Sequence, residues 1–98
     1  MRTQASILSS ELIGMVVADS GNAICYVMPI PSGGQAGCAS TTATTFATGW
    51  VSALTTTLPN SSVTSTLSAS QLYTVTITWQ RTRGDTLHNY AIATQLGI

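Results

Sequence analysis

The chain has no lysine and very few charged side chains of any kind. Charged residues make up 6% of its 98 positions, and three arginines balance three acidic residues, so the formal net charge is zero. Typical soluble domains carry about 25% charged residues. This composition offers neither the basic surface that binds nucleic acid nor the polybasic segment that binds anionic lipid. We therefore expect no nucleic-acid partner.

Long hydrophobic runs are also missing. No stretch of this sequence approaches the ~20 consecutive apolar residues that span a bilayer. Its 98 residues are expected to form one small domain, residues 1–98, in which the hydrophobic core is marginal and a covalent staple would help. Serine and threonine supply most of the polar surface, which is typical of exported proteins.

Residues suited to catalysis are scarce. The single histidine, His88, could form a triad with Asp85 and a serine, but the chain has no G-x-S-x-G nucleophile motif. A solvated histidine at a strand edge is the simpler interpretation. Residues 33–37, Gly-Gly-Gln-Ala-Gly, lack the G-K-[ST] ending of a phosphate-binding loop. We expect no enzymatic activity, no cofactor and no metal site.

The two cysteines, Cys25 and Cys38, allow three outcomes: a disulfide, a pair of thiolate metal ligands, or free thiols. A zinc site would need two further ligands, and His88 is the only other soft candidate. A disulfide would close a loop rich in proline and glycine and stabilise the fold by about 3 kcal/mol. We favour the disulfide, which indicates an oxidising compartment.

Residues 72–81 carry the clearest structural pattern, because large side chains alternate with threonines. Side chains on a strand point to opposite faces in turn, so the pattern predicts a strand with one buried and one solvated face. The predicted core residues on this strand are Tyr73, Val75, Ile77 and Trp79. The opposite face, Thr74, Thr76 and Thr78, suits either water or contacts between subunits.

Two segments have the 3.6-residue periodicity of helices. Residues 3–18 form the first predicted helix, which lacks an N-cap signal and so begins like the continuation of a longer helix. Residues 40–58 form the second, capped by Thr41 or Thr42, with Phe46, Trp50 and Leu54 on its buried face. The two tryptophans could instead form a stacking platform, but both lie on apolar faces. Residues 22–39 are predicted to be a long irregular loop.

Two further strands are predicted around residues 72–81, and the whole sheet is placed at residues 62–97. In residues 62–69, Val63, Leu67 and Ala69 share one side; in residues 87–96, Tyr90 and Ile92 face the core. Sequential strands with short connections predict an antiparallel meander. The predicted fold class is α+β, with both helices on one face of a three- to four-stranded antiparallel sheet.

Three segments, in this order, resemble the type IV pilins, and in particular the minor pilins of the PilV type. Residues 2–15 resemble the segment just downstream of the pilin transmembrane helix. Residues 46–54, with Leu58 and Pro59, resemble a short helix ending in Leu-Pro, and residues 73–79 resemble a strand ending in tryptophan. Gly14 departs from the family pattern, which usually has arginine before the methionine at this point.

The resemblance implies a structural subunit that primes assembly of a type IV pilus and sits at or near its tip. It implies other minor and major pilins as partners, and an inner-membrane anchor in a hydrophobic half-helix upstream of Arg2, with Met1 an added initiator. The location would be the periplasm and then the cell-surface pilus. Two alternatives remain: a type II secretion minor pseudopilin with the same architecture, or a secreted adhesive or carbohydrate-binding module. The 25–38 loop either contacts neighbouring minor pilins or serves only to stabilise the fold.

Overall fold

The computed structural model describes residues 2–31, 34–82 and 84–96. Residues 1, 32–33, 83 and 97–98 lie outside the described residues; they include Gly33 of the predicted loop and Gly97 at the end of the predicted sheet region. In chain order the elements are α1 (Arg2–Ala18), a 3-10 helix (Ser20–Tyr26), α2 (Thr41–Thr57), β1 (Ser62–Leu67), β2 (Leu72–Trp79) and β3 (His88–Gln95).

The strands form one antiparallel sheet in the order β1-β2-β3 within the described residues. Ser62 lies opposite Thr78 in the first pair, and Trp79 lies opposite His88 in the second. The helices pack on one face of this sheet, so the predicted α+β meander is confirmed, with three strands in the described part of the chain.

β2 has the alternation that its sequence predicts. Tyr73, Val75, Ile77 and Trp79 are all buried, whereas the threonines between them are half-buried. β-branched and aromatic side chains pack well on a pleated surface, which is why this strand is central. β3 presents Tyr90 and Ile92 to the same face, where they are half-buried and pack against the core from the edge of the sheet.

β1 is shorter than predicted. The strand ends at Leu67, and Ala69, expected on the buried side, is exposed in the turn that follows. The reason is a tight hairpin: Ser68 N donates to the Leu72 carbonyl over 3.0 Å, and Gln71 adopts a φ of 68°. The buried position in β1 is Ser65, a polar residue that alternation of apolar side chains did not mark.

The two long helices contact each other through a tryptophan. Trp50 is buried on α2, and its indole Nε1–H donates to the Leu8 carbonyl of α1 over 2.7 Å. The N-cap of α2 is Ser40 rather than Thr41 or Thr42, because the Ser40 hydroxyl accepts from Ala43 N at 3.1 Å. The buried stripes of α1 and α2 are Ala5, Leu8, Leu12 and Val16, and Ala43, Ala47, Trp50 and Leu54.

The assignment of Phe46 to the core is wrong, since its side chain is 57% exposed. The stripe of α2 that faces the interior is centred on Ala43, Ala47 and Trp50, and Phe46 lies about 100° around the helix from Ala47. The two alanines have the smaller side chains and are fully buried. Phe46 lies at the flank, beside Met15 near the end of α1.

The chain between α1 and α2 is more regular than predicted, because residues 20–26 form a 3-10 helix. The turn into it is held by Asn22, whose backbone N donates to the Asp19 carbonyl at 2.9 Å and whose side-chain amide donates to the Asp19 carboxylate at 2.8 Å. Ala23, Cys25 and Tyr26 are buried. Burial of these side chains makes the segment part of the core.

Candidate functional site

A buried hydroxyl network ties the end of the 3-10 helix to the sheet. The Tyr73 hydroxyl donates to the Tyr26 carbonyl at 2.6 Å, and the Ser65 hydroxyl donates to the same oxygen at 3.1 Å. Met28 N donates to Ser65 Oγ at 2.6 Å, and Ser65 N donates to the Met28 carbonyl at 3.1 Å. Every polar group named here has a partner, so the network suits positioning of chain segments.

The two tyrosines of this region have shifted ionisation. Burial raises the pKa of Tyr73 to about 12, a rise opposed by the hydrogen bond with Ser65 and helped by the nearby Tyr26. Burial also raises the pKa of Tyr26, and the Asp19 carboxylate, 3.4 Å from its hydroxyl, adds to the rise. Both tyrosines therefore resist deprotonation in the folded state.

We expect the free energy of unfolding to fall as the pH rises from about 10 to about 12. The unfolded state loses the Tyr73 proton near pH 10 and the native state near pH 12, so the native state binds more protons in this window and stability decreases, by about 2–3 kcal/mol. Urea titrations at pH 7, 10, 11 and 12 measure this. Tyr73→Phe should reduce the fall, leaving the smaller part due to Tyr26. An identical fall in the free energy of unfolding in both proteins would contradict its assignment to Tyr73. The difference between the two proteins at pH 7 gives the effect of losing the hydroxyl itself.

Cys25 and Cys38 form a disulfide, the outcome favoured from the sequence. Both thiols are used in this bond, so neither is a zinc ligand. Cys25 is fully buried, and the loop it closes is held further by Gln35, whose side-chain amide donates to the carbonyls of Val27 and Pro29. Cys38 leads directly into Ser40, the N-cap of α2, so the disulfide fixes the start of that helix to the 3-10 helix.

His88 is less solvated than predicted. It lies opposite Trp79 in the β2–β3 register, and the two rings stack with centroids 5.7 Å apart at 23°. The Asp85 carboxylate accepts from Thr86 N at 2.7 Å, and within the described residues it makes no hydrogen bond to His88. The His88 ring therefore covers the Trp79 ring at the edge of the sheet.

A pocket of about 340 Å³ lies between α2, residues 29–30 and the start of β1. Its apolar walls include Ile30, Val51, Leu54 and Val63. Ser61 also lines it, and the Ser61 hydroxyl is buried without a hydrogen-bond partner in the described part of the chain. Sequence reasoning missed this pocket, because its walls come from three segments that only the fold brings together.

A second pocket, of about 270 Å³, lies at the end of α1. It is lined by Met15, Ala18, Asp19, Tyr26 and Phe46. Asp19 already accepts from Asn22 and contacts the Tyr26 hydroxyl.

Comparison with protein-family models, curated proteins and solved structures finds no match to this chain. No cluster of three or more potential metal ligands occurs among the described residues. The helices within residues 2–31, 34–82 and 84–96 are each too short or too polar to cross a membrane.

Proposed function

We propose that this chain is the head domain of a structural minor pilin, a non-enzymatic subunit of a type IV pilus. The observation that carries the proposal is the placement of α1. This 17-residue helix buries Ala5, Leu8, Leu12 and Val16 against the rest of the domain, with contacts to β2, β3 and α2. An N-terminal helix laid across an antiparallel meander is the architecture that the sequence resemblance implies.

The outward side of α1 also supports an assembly role. Ile7 is 57% exposed and Val17 is 52% exposed, and Gly14 between them is exposed as well. Exposed apolar side chains on one helix mark a surface that a partner can cover. In a fibre of pilin-type subunits, neighbouring subunits pack around this helix and would bury these residues.

The surface chemistry is suited to a structural subunit. The few charged side chains leave hydroxyl groups as the main polar surface, and the Cys25–Cys38 disulfide stabilises the domain in an oxidising compartment. The same architecture serves type II secretion pseudopilins, and the genes next to this one would distinguish the two systems.

The experiment is co-expression of the chain with each pilin-type subunit encoded beside its gene, followed by purification through a tag on the chain. We expect at least one such subunit to co-purify, and Ile7→Asp with Val17→Asp to reduce recovery by about tenfold or more, because two exposed apolar contacts become charged. Thr66→Asp, exposed on the open face of the sheet, is the matched control and should bind normally.

If all variants co-purify with the partner subunit equally well, the outward side of α1 is not part of the interface. Absence of binding to every neighbouring subunit, together with binding to a glycan array, would replace the proposal with that of an adhesive or carbohydrate-binding module.

A further inference from the structure

The outer edge of β1 is only partly paired. In antiparallel sheets, residues alternate between those that bond to the neighbouring strand and those whose backbone groups point away from it. Ser65 is of the second kind, since its N–H donates to the Met28 carbonyl over 3.1 Å instead of to β2. Val63, two residues earlier, therefore directs its own N–H and C=O to the same outer edge.

This chain already places an extended segment on that edge. Val27 has extended backbone angles, the Met28 carbonyl accepts from Ser65 N, and Met28 N donates to the Ser65 side-chain hydroxyl. After Pro29 the described chain makes no backbone bond to Val63. One backbone hydrogen bond of the edge-pairing kind, from Ser65 N to the Met28 carbonyl, is therefore already present two residues from Val63.

The pocket described above adjoins this part of the edge, because Val63 is one of its walls. None of the residues lining the pocket carries an ionisable side chain. A charged group placed there would lose its hydration without a compensating partner. At about 340 Å³, the pocket is at the small end of the range for ligand sites and has the size for an aliphatic side chain with its adjoining peptide group.

The Ser61 hydroxyl requires a ligand of this pocket to offer a hydrogen-bond partner. Buried hydroxyl groups in native proteins almost always have a hydrogen-bond partner. Ser61 Oγ has none within the described residues, although it lines the pocket. Because a hydroxyl can donate and accept, either the C=O or the N–H of an incoming peptide group would satisfy it.

We propose that this pocket binds an uncharged aliphatic side chain carried on an extended peptide segment of a partner protein. The segment adds to the edge of β1 at Val63, its side chain lies against Ile30, Val51 and Leu54, and an adjoining peptide group pairs with the Ser61 hydroxyl. Backbone pairing supplies affinity and the pocket supplies selectivity. The site is separate from the outward side of α1 and does not depend on the chain being a pilus subunit.

The test is an NMR titration of the ¹⁵N-labelled chain with the capped tripeptide acetyl-Thr-Leu-Thr-methylamide. We expect saturable shifts centred on the amides of Val63, Ile30 and Val51. Peptides with alanine or glutamate at the centre should bind about tenfold or more weakly, because they lack the aliphatic side chain or carry a charge. Isobutanol, which lacks a peptide group, should bind more weakly than the leucine peptide.

Three variants locate the site. Thr55→Phe places a bulky ring at the border of the pocket and should abolish binding, whereas Thr56→Phe, exposed on the same helix but outside the pocket, should not. Ser61→Ala should weaken binding about three- to tenfold, and it keeps the test valid if Thr55→Phe does not fold. Equal binding of the three peptides, shifts away from Val63, or unchanged affinity in both Thr55→Phe and Ser61→Ala would overturn the proposal.

Discussion

Replacing Trp50 with alanine is expected to lower the free energy of unfolding by about 3–5 kcal/mol. Trp50 is 5% exposed, so the change leaves a large cavity between α2 and the rest of the core. It also removes the indole hydrogen bond to the Leu8 carbonyl at 2.7 Å, which joins the two long helices directly. A loss of this size is a large part of the total stability of a small domain.

Phe46→Ala is the matched control for Trp50→Ala. It removes an aromatic side chain from the same helix, one turn away, but at a position that is 57% exposed. We expect a loss of no more than about 1 kcal/mol, because most surface substitutions have small effects. Chemical denaturation of both variants makes the comparison, and Trp50→Phe removes the hydrogen bond while keeping an aromatic ring at this position. Equal losses at Trp50 and Phe46 would contradict the packing described for α2.

Removing the disulfide is the second change with a large expected effect. The double variant Cys25→Ala with Cys38→Ala opens a loop of sequence separation 13, for which the loop-entropy model gives a loss of about 3 kcal/mol. In a domain of about 100 residues, this corresponds to a fall in Tm of about 12–20 °C. The loss of stability should be largest at the start of α2, because Cys38 is two residues before the N-cap of this helix, Ser40.

Thermal unfolding followed by circular dichroism measures this effect. Wild-type protein in reducing agent should melt close to the double variant, and reducing agent should not change the melting of the variant itself. A double variant that melts within about 2 °C of the oxidised wild type would show that the hydrogen bonds of Gln35 to Val27 and Pro29 hold the loop without the disulfide.

The sequence was sufficient to predict the central strand and the fold class, because periodicity and burial agree there. In β2, four large side chains alternate with threonines, and only a half-buried strand satisfies that pattern. The same reasoning correctly placed Trp50 and Leu54 on the buried face of α2. It failed at Phe46, one turn before Trp50, because an apolar stripe of a helix is wider than the surface that its neighbours cover.

The remaining features depend on contacts between distant segments, which local patterns do not contain. Ser65 is buried because residues 26–28 supply partners for its hydroxyl and backbone. The pocket beside Val63 needs α2, residues 29–30 and β1 together. For the 3-10 helix a local signal is present in the sequence, because Asp19 and Asn22 suit a tight turn.

The proposal that this chain is the head domain of a minor pilin predicts that α1 continues upstream into an apolar helix. The most direct measurement is the sequence of the genomic DNA upstream of the codon for Arg2. The proposal predicts an open frame encoding a short leader that ends in glycine, followed by ~20 apolar residues with glutamate at the fifth position, continuous with α1. An in-frame stop codon directly upstream, or a polar segment in place of the apolar helix, would contradict it.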